Sequence, residues 1–318
     1  MAKLADMAEN ALNETRMLIL GAQVLIGFGF QAAFQPGFDR LPAEAQQLKL
    51  LGLGLMLIAL ALLIAPCAFH QIVECGNDSP RLIAFTGRIA AFALLPFAVT
   101  IGIELFLAAL VVFGAAVALP VGVIGLIFAL FLWYGLEWLW REPDRHKADE
   151  NKERTMKNEG TSLENKIKQV LTEARVVLPG AQALLGFQLA AILTDGFAKL
   201  PRSSQYAHIV SLGLIAVTIV LLMAPAAFHR IVERGEDTER LHRFASAAVL
   251  AAMIPLALGV ASDFYVVVSK VLDAPGLAAG LAGASLVVFF GLWFGFTLAL
   301  RTRDHASHSA LRISRAAR

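Results

Sequence analysis

Two carboxylates, Glu104 and Asp263, stand inside long apolar stretches of this chain, towards one end of each. In hydrocarbon an acid must be neutralised or paired, and alternation between a protonated and a cation-bound form is one chemistry by which ions cross membranes. The blander reading is that each acid caps a helix end and meets water. Two glutamines, Gln23 and Gln182, also lie within apolar runs, flanked by Gly21, Ala22 and Gly27 and by Gly180, Ala181 and Gly186. Small residues let helices approach closely and Gln can bond across them, so helix packing and substrate contact are both open.

A third pattern is APCAFHQIVECG at 65–76, matched by APAAFHRIVERG at 224–235. On a helix His70 and Glu74 are i and i+4, as are His229 and Glu233, so each pair shares a face. Pro66 and Pro225 each remove a backbone donor and are expected to kink the helix beside them. A titratable His beside a carboxylate near a hinge would serve as a proton-linked cytoplasmic gate or half a metal site. Otherwise it ties a helix end to its loop. No metal or cofactor is expected.

These positions belong to two copies of one unit. Glu14, Arg16, Gly21, Gln23, Gly27, Phe28, Pro66, Phe69, His70, Glu74, Arg81 and Pro96 recur 159 positions later as Glu173, Arg175, Gly180, Gln182, Gly186, Phe187, Pro225, Phe228, His229, Glu233, Arg240 and Pro255. Each copy holds four apolar segments, at 17–34, 48–69, 89–113 and 117–140, then at 176–193, 209–228, 244–268 and 277–300. Segments of roughly 20 residues cross about 30 Å of hydrocarbon as helices, because only helices and closed barrels pair every backbone group there. The expected fold class is all-α: a polytopic membrane protein with eight transmembrane helices as two same-orientation four-helix repeats. The units are a first repeat with an N-terminal amphipathic helix (1–141), a charged linker (142–160), a second repeat (161–301) and a basic tail (302–318). A capping box at Thr161 and Glu164 opens the second repeat.

Composition agrees, with 58% hydrophobic and 16% charged residues and a mean hydropathy of +0.67. The lipid bilayer is therefore the principal partner. A net charge of +2 with no basic face excludes nucleic acid as a partner. Cys67 and Cys75 stand eight residues apart, a helical rise of about 12 Å, too far for a disulfide. No phosphate-binding glycine loop, HExxH or GxSxG motif is present, so no enzyme is expected. The stretch 1–16 runs into the first span without a cleavage site, so that span is expected to stay as an anchor.

Orientation follows from Lys and Arg. Of 27 such residues, only Arg40, Lys49, Lys199, Arg202 and Lys270 fall on one side. The side bearing the other 22, with both termini and the linker, is expected to be cytoplasmic. Four spans per copy keep both copies in one orientation, which predicts a pseudo-two-fold axis along the membrane normal. Trp133, Tyr134, Trp138, Trp140 and Trp293 read as interfacial anchors of the fourth spans.

The run ARVVLPGAQALLGF at 174–187, followed by a Phe and Leu-Pro loop and APAAFHRIVERGE at 224–236, resembles an uncharacterised bacterial family of four-helix membrane domains. Some of its members carry a sodium:proton antiporter label by automatic transfer. The likeness covers both copies and is better in the second. It implies a bacterial inner (plasma) membrane location, a fused pair of single-domain units, and no transferable catalytic residues. Two functions follow. One is a proton- or monovalent-cation-linked transporter using Glu104 and Asp263, gated by the Pro and His/Glu positions. The other is a non-transporting membrane scaffold or partner-binding protein. A transporter would gather the intramembrane acids and glutamines at one polar site; a scaffold would disperse them.

Overall fold

In the computed structural model, residues 2–135, 162–234 and 236–304 are described, residues 2–14 by their backbone alone. The linker at 142–160, the tail beyond 304, Trp138, Trp140 and Gly235 lie outside the described residues. Among the described residues the protein is all-helical, and eight helices are long and apolar enough to cross a membrane. They are α1 (Ala2–Ala32), α2 (Ala43–Ile72), α3 (Pro80–Phe113), α4 (Ala115–Leu130), α5 (Leu163–Ile192), α6 (Arg202–Ile231), α7 (Glu239–Leu272) and α8 (Pro275–Phe290). One π-helical turn follows each fourth helix, at Phe131–Gly135 and Gly291–Gly295, and the last span runs on to Asp304.

Helix starts follow local chemistry. Ser79 accepts from the Leu82 amide at 3.0 Å, with Pro80 next in the chain, and Thr238 accepts from Leu241 at 3.1 Å; each side chain satisfies an otherwise orphan amide. At the second repeat the cap is Ser162, accepting from Asn165 at 3.4 Å, one residue after the expected Thr161. The amphipathic stretches before each first span are not separate helices but the opening turns of α1 and α5. Pro66 and Pro225 sit inside α2 and α6 without ending them.

Within each repeat the third helix packs against the other three, and the first also against the second. The second and third helices cross on small residues and one hydroxyl. Thr100 of α3 donates to the Gly52 carbonyl of α2 at 3.3 Å, whereas Ser211 of α6 donates to the Gly259 carbonyl of α7 at 2.7 Å. Positions 52/100 and 211/259 are equivalent, so glycine and hydroxyl have exchanged helices. At the helix ends Phe69 stacks on Phe85 at 4.4 Å with Arg81 over its ring, and Phe228, Phe244 and Arg240 repeat this at 4.5 Å. That explains why Phe69 and Arg81 recur.

The repeats meet along α1 and α5, which contact through Gln23 and Gly180 and through Phe28 and Phe187, and in the loops just beyond them Phe34 packs on Phe197. Beyond this seam, α2 packs on α7, α8 and its π-helical turn. A two-fold axis would require α6 to pack on α3 and α4 in return, and among the described residues no comparable contact does so. The consequence is uneven burial: 72% of the α2 span is covered against 28% of α6. Trp293, expected at a lipid interface, is fully buried in this seam and donates its indole N–H to the Ala61 carbonyl at 2.8 Å.

Candidate functional site

The loops around Phe38–Arg40 and Asp195–Ala198 define one face of the bundle, called the far face; the loops at 73–79 and 232–238 define the near face. Asp263 lies nine residues from the far end of α7, a rise of about 14 Å, and is buried. Its Oδ1 faces His208 Nδ1 of α6 at 2.8 Å, and its Oδ2 accepts from Gln188 Nε2 of α5 at 2.5 Å. Gln188 also donates to Ser211 Oγ at 2.7 Å. His208 Nε2 faces the Gln188 carbonyl at 3.1 Å. Both ring nitrogens therefore lie within hydrogen-bonding distance of an oxygen atom. Phe34 of the first repeat and Phe197 of the second set their rings edge-on to His208 at 6.3 and 5.1 Å, so both repeats contribute to covering the polar cluster.

The first repeat carries the equivalent pair in cruder form. Lys49 Nζ reaches Glu104 at 2.5 and 2.6 Å, with Glu104 about one-third exposed. Lys49 and Glu104 occupy the positions of His208 and Asp263, while Gly29 and Gly52 stand where the second repeat has Gln188 and Ser211. A base on the second helix clamps an acid on the third in both repeats. The second repeat adds two neutral groups and buries the whole.

A polar pocket of about 430 Å³ opens at the far face, lined among others by Asp39, Lys199, Ser204, Tyr265, Lys270 and Asp273. Ser204 lies one turn from His208 on α6, so the pocket ends about a turn from that histidine. Lys270 spans its rim, donating to Asp39 at 2.7 Å and to the Ala33 carbonyl at 2.5 Å. A tie between the two repeats thus borders the pocket.

At the near face the histidine motif works between repeats rather than along its own helix. His70 Nδ1 donates to Glu173 Oε1 of α5, and Gln71 donates to Glu173 Oε2 at 2.5 Å, all three residues being buried. Gln169, one turn earlier, bonds Asp78. Glu74 does not join the His70 bond. In the second repeat His229 lies 3.7 Å from Asp237, and Glu233 stands apart from that contact. Gln23 is buried against Gly180, with neither polar atom bonded among the described residues, whereas Gln182 is exposed.

The structure thus does not bring Glu104, Asp263, Gln23 and Gln182 into one bonded site: the two acids are held separately within their repeats. The sequence reading missed Lys49, His208, Gln188, Ser211 and the role of Glu173. The signal for the first two was present, since Lys–Glu in one copy becomes His–Asp at the same offset in the other, a paired change that keeps a base opposite an acid. Gln188 and Ser211 left no such signal, because their counterparts are glycines.

No curated protein and no solved structure matches the chain. One family model matches it twice, over residues 3–137 and 157–297; its description is a family of unknown function (DUF6328).

Proposed function

Because the chain belongs to the DUF6328 family, with its domain twice in tandem, we propose a role from its own geometry: a non-transporting scaffold of the bacterial inner membrane. The supporting observation is that each intramembrane carboxylate is matched by a base of its own repeat, Glu104 by Lys49 and Asp263 by His208. Such pairs join the second and third helices, Lys49 engaging both oxygens of Glu104 and His208 with Gln188 one oxygen each of Asp263. The protein is taken to have no catalytic role, cofactor or metal. The test is proton and sodium flux in proteoliposomes under imposed gradients. Flux no greater than that of empty vesicles is expected; flux that vanishes in a folded E104Q/D263N variant would overturn the scaffold.

A second reading, a proton- or monovalent-cation-linked transporter, is favoured by one observation, the far-face pocket that reaches Ser204, one turn from His208. In that reading the second repeat holds the site, and D263N alone removes the flux while E104Q retains it.

The same proposal places both repeats in one orientation with the near face in the cytoplasm. The stepwise contacts of α1 with α5 and of the loops that follow them, residue 23 with 180, 28 with 187 and 34 with 197, support the common orientation, and the Lys and Arg bias supports the side. Cys75 is exposed in a near-face loop and Cys67 is buried. A membrane-impermeant thiol reagent should therefore label the chain only after intact spheroplasts are opened; labelling before opening would reverse the assignment.

A further inference from the structure

The seam between the repeats is heterologous. The first repeat offers one face, made by α1 and α2, and the second answers with a different face, made by α5, α7 and α8. Because both repeats share one fold, each also keeps the face it did not use. The second repeat has its own counterpart of the α1/α2 face on α5 and α6; the first has its counterpart of the answering face on α1, α3 and α4.

The unused faces bear the marks of an interface left open. Gln23 is buried in the seam, yet its counterpart Gln182 is exposed on a membrane-spanning helix. A polar amide facing acyl chains is unfavourable and calls for a partner helix. Phe34 is 1% exposed and Leu193, its counterpart, 88%; Ala61 is 0% exposed and Val220, its counterpart, 67%. Gly27 lies against Phe187, whereas a Cβ on its counterpart Gly186 would meet nothing within 4 Å.

The empty face has a shaped recess. An apolar crevice of about 600 Å³ runs between α5 and α6, lined by Leu178, Val220, Met223, Ala224 and Ala227 among others. It includes the position of Ala61, the residue whose carbonyl receives the Trp293 indole on α2. The matching surface on the first repeat is filled by the π-helical turn of the second, and the residue equivalent to Trp293 is Tyr134, on the π-helical turn after α4, whose hydroxyl donates to the Ala91 carbonyl of α3 in the single chain and would exchange that bond on docking. That answering face is also open: Met17 is 73% exposed where its counterpart Val176 is 1%, and Gly37, counterpart of the Gly196 that abuts the Phe34 backbone, has open space around it.

We propose that a second copy of this chain docks its α1/α3/α4 face onto the α5/α6 face, repeating between chains the contact made within the chain, with Tyr134 entering the crevice beside Val220. The assembly is head-to-tail, so it closes into a ring or continues according to the rotation between repeats. It does not depend on whether the chain moves an ion. The test uses two full-length chains in vesicles of phosphatidylethanolamine and phosphatidylglycerol, one carrying Y134C and the other V220C, each with C75S. Oxidation should join the two different chains and should not join V220C to itself. M223W, which fills the crevice from an exposed position, should lower self-association by at least tenfold in single-molecule photobleaching while leaving the melting of the monomer in detergent unchanged. Monomers at all densities, unaltered association of M223W, or a Q182C chain that joins chiefly to itself, the mark of a two-fold α5 contact, would each overturn the proposal.

Discussion

At Asp263 two donors from two other helices converge on one buried carboxylate, so the acid is held by charge and geometry rather than by water. Removing one member of such a pair strands the other, which costs about 3–5 kcal/mol, whereas replacing both by apolar groups is often close to neutral. H208L should therefore destabilise the fold by an amount in that range, and H208L/D263L by much less, in denaturant unfolding in detergent micelles. Additive losses in the double variant would show that the two residues act independently. Glu104 and Asp263 were legible as unusual residues because an acid in an apolar run stands out. Their partners were not, because a lysine or histidine near a helix start is ordinary until the fold sets it against an acid 55 residues away.

Between elements, the crossing of the second and third helices depends on small side chains. A Cβ on Gly259 would lie 2.8 Å from Ile215 Cδ1 and 3.3 Å from the Ser211 carbonyl oxygen, while one on Gly213 would meet nothing within 4 Å. G259A should push α6 and α7 apart and strain the Ser211 bond, costing roughly 1–3 kcal/mol as overpacking does. G213A should be neutral or slightly stabilising, since alanine is the better helix former. Equal effects on thermal unfolding would mean that this crossing is not tightly packed. The helices themselves were legible from apolar length alone, and all eight lie where the runs predict. The one N-cap expected from the sequence lies a residue further on, the shift from Thr161 to Ser162 reflecting two adjacent hydroxyl residues that can each cap a helix.

In the whole molecule, equivalent positions of the two repeats have unequal roles. Gly196 faces the Phe34 backbone so closely that a Cβ would lie 2.1 Å from its carbonyl oxygen, while Gly37, its counterpart, faces open space. G196A should weaken the joint between the repeats and lower the melting temperature of the monomer in detergent, and G37A should not; a reversed order would contradict the one-sided seam. The sequence by itself determined the duplication, the eight membrane-spanning helices and the all-α class, because a repeat offset and long apolar runs are local properties that the bilayer turns into helices. Only the tertiary structure decided that His70 bonds Glu173 instead of Glu74, that Gln23 is buried and Gln182 exposed, and that Trp293 sits in a seam and not at a lipid interface. The two repeats share their apolar runs and helix landmarks and so carry the same local instructions for helices, and nothing local distinguishes a two-fold pairing from a head-to-tail one. That choice rests on the sum of side-chain fits between two surfaces, and it exists only once both have folded.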